Sequence, residues 1–142
     1  MNMKTCGIIT EYNPFHQGHI YHIKKTKELT QCDCLIAIVS NHFTQRGLFS
    51  LLTMQDKTKL ALEAGCNLVI ELPPCYAAQS ADYFAKYAVE SLSQLHIDQI
   101  CFGSETNNIS TLKEYSKQME STQVVPSLSM NQNLYTKNIR PN

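Results

Sequence analysis

Thr5-Cys6-Gly7-Ile8-Ile9-Thr10-Glu11-Tyr12-Asn13-Pro14-Phe15-His16-Gln17-Gly18-His19 runs from an apolar segment through a proline-stiffened turn into a helical pattern. A near-continuous apolar run such as Thr5–Thr10 fits a strand covered on both faces, as in a parallel sheet. Cys34–Ser40, 67–72 and 99–103 are runs of the same kind. Between them the spacing turns helical. Residues 19–29 place Ile20, Ile23 and more weakly Lys27 on one side, with Lys24, Lys25 and Glu28 outside. Residues 53–64 turn Leu60, Ala61 and Ala64 inward and stop at Gly65. Pro73-Pro74 closes the third strand, and 77–95 carries the stripe Ala81, Phe84, Ala85, Ala88, Val89, Leu92 and Leu95. A weaker helix is expected over 107–120, with Asn108 or Ser110 as its cap. Strand and helix alternating in this way build right-handed βαβ units. The expected fold is therefore α/β, a doubly wound, Rossmann-like parallel sheet of four or five strands with flanking helices.

The chain has 142 residues, 43% of them hydrophobic and 17% charged, which suits one globular domain. Its apolar runs fall short of the roughly 20 residues that span a bilayer, and the first one meets Glu11 too soon for a secretory signal. No membrane association and a cytoplasmic location are the expectation. Six cysteines (6, 32, 34, 66, 75 and 101) sit at the centres or ends of apolar segments without a CxxC pair, so they read as reduced, buried thiols. Residues 1–120 carry ten basic and twelve acidic groups, and Lys137 and Arg140 are the only charges beyond them. Such a body is poorly equipped to hold a nucleic-acid backbone. From Ser121 onward the chain is rich in Ser, Gln and Asn and loses its period. Residues 1–120 are thus expected to form the domain, and 121–142 a poorly ordered polar tail or a remnant of a longer element.

The first strand–helix junction carries the chemistry. In an open parallel sheet ligands bind at the carboxyl edge, near the point where strand order reverses. His16 and His19, three apart at the start of a helix, face one space, and Gly18 between them lets a ligand approach the backbone. The helix N-terminus adds free N–H groups and a partial positive charge. Donors preorganised for charge that grows in a transition state are each worth on the order of 10²–10³ in rate. His16, His19 and His22 as metal ligands are the competing reading, but no carboxylate or thiol lies beside them at ligand spacing, so no metal is expected from protein ligands alone. A loop histidine with no chemical role is the other alternative.

The string from Tyr12 to His19 resembles the F-D-P-x-H-x-G-H loop of the HIGH-type nucleotidylyltransferase superfamily. The longer string from Gly7 to His22 is closer still to the tRNA(Met) cytidine acetate ligases. Three later blocks resemble that family too: Ser40 with Phe43-Thr44-Gln45-Arg46-Gly47, then Asn67 to Pro73, then Phe102-Gly103-Ser104-Glu105. The resemblance implies activation of acetate by ATP to acetyl-adenylate. It further implies transfer of the acetyl group to N4 of the wobble cytidine of elongator tRNA(Met). It implies His16 and His19 as catalytic residues on the α-phosphate. ATP, taken as substrate with Mg2+, would be lined by Ile9, Thr10, Glu11, Tyr12, Asn13, Pro14, Phe15, His16, Gln17, Gly18, His19, Ile20, Tyr21, His22 and Gly103. Ser40, Gln45 and Arg46 would be further substrate or phosphate contacts.

The chain departs from the family pattern at several points. Asn41-His42 replaces Gly-Asn, Leu48-Phe49 replaces Glu-Pro, Asn67 stands for an Asp, and Lys57 stands for an Arg, which implies a looser phosphate grip. Family members are more than twice as long and carry a later motif ending in Ile-Arg. Thr136 to Arg140 echoes that motif only by chance. Weak tRNA binding is expected of this chain alone. Another adenylyl- or cytidylyltransferase activity, or a truncated nucleotide-binding domain without full activity, are the alternative functions. Lys24, Lys25 and Lys27 read as a solvated face, Glu71 as a cap or pairing group, and Tyr76, Tyr83 and Tyr87 as packing.

Overall fold

The structure, a computed structural model, describes residues 3–104, 108–122 and 133–138. Along the chain run β1 (Thr5–Thr10), α1 (Gln17–Thr30), β2 (Cys34–Ser40), α2 (Met54–Ala64), β3 (Leu68–Leu72), α3 (Pro74–Ala77), α4 (Ala81–Gln94), β4 (Gln99–Ser104), α5 (Ile109–Thr122) and β5 (Asn133–Asn138). The sheet order is β3-β2-β1-β4-β5, with β1 to β4 parallel. Strands β2 and β3 extend to one side of β1 while β4 lies on the other, so the order reverses between β1 and β4. The pairing there covers only Cys6↔Gln99 and Gly7↔Ile100, whereas β1 and β2 stay paired from Thr5↔Cys34 to Thr10↔Val39. The carboxyl ends of β1 and β4 are thus not tied to each other.

Each strand residue points to the face opposite its neighbours, so a strand buried on both sides feeds two cores. Cys6, Ile8, Leu35, Ala37 and Val39 pack with Ile23 of α1 and Ala61 of α2. Ile36, Ile38 and Leu72 pack with Ala88 and Leu92 of α4 and with Ile97. Polar side chains fix the strand starts. Asp98 Oδ2 accepts from Thr5 N and Oγ1 at 2.8 and 2.9 Å, which joins the start of β4 to β1. Asn67 Oδ1 accepts from Leu35 N at 2.9 Å, so Asn67 acts as a side-chain anchor and β3 begins one residue later than the apolar run. Gly65 ends α2 at φ 120°, a backbone that other residues rarely adopt.

Several expectations change. The 77–95 helix is two pieces: Pro74 opens α3 at its first turn, and extended Ser80 restarts the helix as α4. Within α4, Phe84, Tyr87, Ala88 and Leu92 face inward while Ala81, Ala85, Val89 and Leu95 are exposed. Lys27 is not a solvated group, since its Nζ donates to Gly65 O at 2.7 Å and fastens α1 to the end of α2. Cys75 is exposed, while Cys6, Cys66 and Cys101 are buried free thiols. Asn108 Oδ1 accepts from Ser110 N, as the cap reading expected. Asn133–Asn138, within the segment expected to be a polar tail or a remnant of a longer element, forms an antiparallel edge strand on β4, from Gln99↔Asn138 to Ser104↔Asn133. Six residues on a sheet edge are too few and too polar to show a period. Glu105, Ile139 and Arg140 lie outside the described residues.

Candidate active site

Helix α1 begins at a reciprocal cap built from two imidazoles. His16 takes extended backbone (φ −147°, ψ 176°), and its Nδ1 accepts from Gly18 N at 3.1 Å. His19 Nδ1 reaches back to accept from His16 N at 3.1 Å. Ser or Thr and Glu ordinarily make this box, and here ring nitrogens do the same work. The rings stack with centroids 3.8 Å apart and planes 26° from parallel. Tyr12, buried and at φ 49°, sets its ring edge-on at 4.9 Å from His19, and Phe15 lies 5.4 Å from the same ring.

The cap fixes the chemistry of the rings. An imidazole that accepts through Nδ1 carries its neutral-form hydrogen on Nε2. Burial, then the neighbouring His16 and His22, lowers the His19 pKa to about 4, so His19 is neutral at physiological pH. Both rings therefore offer Nε2–H donors at the N-terminus of α1, where the helix dipole favours an anion. A Cβ on Gly18 would lie 2.9 Å from His16 Cε1 and 3.0 Å from its Nδ1, so a larger residue there must displace the His16 ring.

The structure separates the other expected site residues. Ile9 is half-buried against the second core, and Thr10 is buried. Pro14 and Gln17 are exposed beside His16, and Gly103 is exposed at the carboxyl end of β4, the strand next to β1. The Tyr12 ring is buried in the core and packs under His19. Ile20, Tyr21 and His22 are successive helical positions about 100° apart and cannot all line one site. Tyr21 is half exposed on the face of Lys25, and His22 has a lowered pKa from burial and an Nε2 without a partner. Ser40 is fully buried at the end of β2. Arg46 is exposed and Gln45 half-buried.

Lys57 overturns its expectation most sharply. It is fully buried, and its Nζ donates to Ser40 O at 2.7 Å and Asn41 O at 3.2 Å. Burial lowers its pKa, with Glu11 opposing the shift. It grips the end of β2, not a phosphate. Asn41 in turn donates to Glu71 Oε1 at 2.5 Å, the pairing role expected of that acid. The spacing held a signal for this, since Lys57 stands three, four and seven residues before the inward Leu60, Ala61 and Ala64, but a lysine on such a stripe reads as polar.

A cleft of about 970 Å³ lies between the β2–α2 loop and α2, walled by Phe43, Phe49, Leu51, Met54 and Leu62 with Glu71 at its rim. None of His16, His19 or Gly103 lines it. The donor pair lies instead at the sheet's switch point, the place where open α/β sheets bind ligands. Among the described residues no group of three or more His, Cys, Asp or Glu side chains could hold a metal ion. No helix among them is long and apolar enough to cross a membrane.

A doubly wound sheet with an imidazole-capped helix at its switch point defines a nucleotidyl transferase domain, and the chain belongs to the HIGH nucleotidyl transferase family, whose profile matches residues 3–139. Within it, the chain is 50% identical over 115 residues to the tRNA(Met) cytidine acetate ligase of Geobacillus sp. (strain WCH70), and 49% identical over 116 residues to that of Clostridium novyi (strain NT). Each match takes in 81% of this chain and 29% of the relative, so the chain spans under a third of these proteins' length. Thermotoga maritima TmcAL, solved bound with alpha-thio ATP, superposes with a TM-score of 0.79 at 37% identity over 84% of this chain and 29% of that one. A lipopolysaccharide core biosynthesis protein from Thermoplasma volcanium GSS1 shares the fold alone, at 16% identity and a TM-score of 0.57.

Proposed function

We propose that this chain is the ATP-using domain of a tRNA(Met) cytidine acetate ligase. The stacked pair of Nε2–H donors at the start of α1 carries the reading. An acetate oxygen attacks the α-phosphorus of ATP, the bond from that phosphorus to the bridging oxygen breaks, and pyrophosphate leaves. Charge grows on the α-phosphate oxygens as this happens, and His16 and His19 donate to them. Catalysis of this kind is positioning and electrostatic stabilisation. Of the expected ATP contacts, Pro14 to His19 and Gly103 remain, with Glu11 to Asn13 supporting them from behind. The acetyl group then passes to N4 of the wobble cytidine of elongator tRNA(Met). This step belongs to the whole protein, whose relatives are more than twice as long, and the balanced charge of this chain supports only weak tRNA binding on its own.

Exchange of labelled pyrophosphate into ATP tests the reading. It is expected to require acetate and to fall on the order of 10²–10³ in His16→Ala and His19→Ala. Exchange that proceeds equally with other carboxylates, or only with a phosphorylated substrate, would replace it with another nucleotidyl transfer. ATP binding without exchange would leave a nucleotide-binding domain.

A further inference from the structure

Glu11 and Asn13 stand in the turn that carries the two histidines, yet both aim a side-chain oxygen at the following loop. Glu11 Oε1 accepts the main-chain N–H of Gln45 at 2.5 Å, and Asn13 Oδ1 accepts that of Leu51 at 2.6 Å, with Ser50 Oγ at 3.5 Å. Between these two anchors the loop closes on itself. Thr44 N donates to Leu48 O, Gly47 N to Thr44 O, and Ser50 N to His42 O, each at 2.8 or 2.9 Å. At the tip stands Arg46, exposed and without an ion-pair partner among the described residues.

We propose that Glu11 and Asn13 are positioning residues that hang this turn from the histidine loop, so that Arg46 is presented to the phosphates of a nucleotide held by His16 and His19. The second half rests on the ATP reading above. The charges support the arrangement. A carboxylate beside an anion site repels its ligand unless donors occupy it. The Gln45 N–H does so here, and the Lys57 ammonium lies close enough to feel the Glu11 charge. Arg46 then supplies a free guanidinium, the group best shaped for phosphate.

Trypsin cleaves after Arg46, so the rate of that cut, located by mass spectrometry, reports the turn. Removing an anchor should speed cutting on the order of 10–100-fold in Glu11→Ala and Asn13→Ala, the worth of a hydrogen bond to a charged or well-placed acceptor. Glu11→Gln keeps an acceptor oxygen and should stay within about threefold of the unmodified chain. Cutting of Glu11→Ala at the unmodified rate, or of Glu11→Gln as fast as Glu11→Ala, would overturn the clamp. Amide exchange in the unmodified chain needs no substitution to fold. The Gln45 and Leu51 amides should exchange at least about tenfold more slowly than that of Arg46, and equal rates would also overturn the clamp. MgATP should slow the cut about tenfold. ATP that binds by calorimetry without slowing it would overturn the role of Arg46, while ATP that fails to bind would remove the nucleotide reading and leave the exchange data to judge the clamp.

Discussion

Acidification tests the state of the histidine pair most directly. His19 titrates at about 4 in the folded chain against 6.5 when unfolded, because burial and then His16 and His22 disfavour its charged form. Between these values the unfolded chain binds a proton that the folded chain does not, so stability is present above pH 6.5 and is lost as pH falls toward 4. The whole displacement converts to about 3 kcal/mol. His19 is only half-buried, so solvent screening is expected to leave about 1.5 kcal/mol. Urea unfolding of the unmodified chain and of His19→Gln at several pH values isolates this group, since the depressed His22 titrates in both and cancels. The unmodified chain should lose about 1.5 kcal/mol relative to the variant between pH 7 and pH 4. With a urea slope of about 1.5 kcal/mol per molar, that moves the difference in midpoints by about 1 M. A difference that stays flat, or shifts in favour of the unmodified chain on acidification, would refute a neutral His19.

Other perturbations separate stability from chemistry. Gly18→Ala should push the His16 ring out of its cap and cut pyrophosphate exchange about tenfold or more. The melting temperature should hardly move, because alanine's better helix propensity offsets the clash. Lys57→Met leaves the carbonyls of Ser40 and Asn41 without their donor and should cost about 2–4 kcal/mol in denaturant unfolding. Gly7→Ala places a methyl 2.7 Å from Ile97 Cδ1 and Leu92 Cδ2, both buried, and should cost about 1–3 kcal/mol by the same measurement.

The parallel strands were legible because burial on both faces leaves a plain mark: Thr5–Thr10 and Cys34–Ser40 match residue for residue. Helix phase was harder to read. The seven stripe positions in 77–95 wrap wider than the face that packs, so Phe84, Ala88 and Leu92 lie inside while Ala81, Ala85, Val89 and Leu95 do not. The histidine junction was legible as a location, and its motif pointed to the family. What the motif could not show is that Nδ1 of each ring is committed to the backbone, or that Tyr12 lies beneath them. Lys57 and Lys27 both stand in register with the apolar stripes of their helices, and each buries its stem and delivers its ammonium to carbonyls, so their charge and not their spacing misled.

The imidazole cap also sets what this junction is unable to do. A neutral ring has a single lone pair available for a proton, and in both His16 and His19 a main-chain N–H already holds it. Neither ring can act as a base without unwinding the first turn of α1. An alcohol or amine that must be deprotonated to react would find no help here. The junction suits a nucleophile that arrives already ionised, and a carboxylate at neutral pH is one.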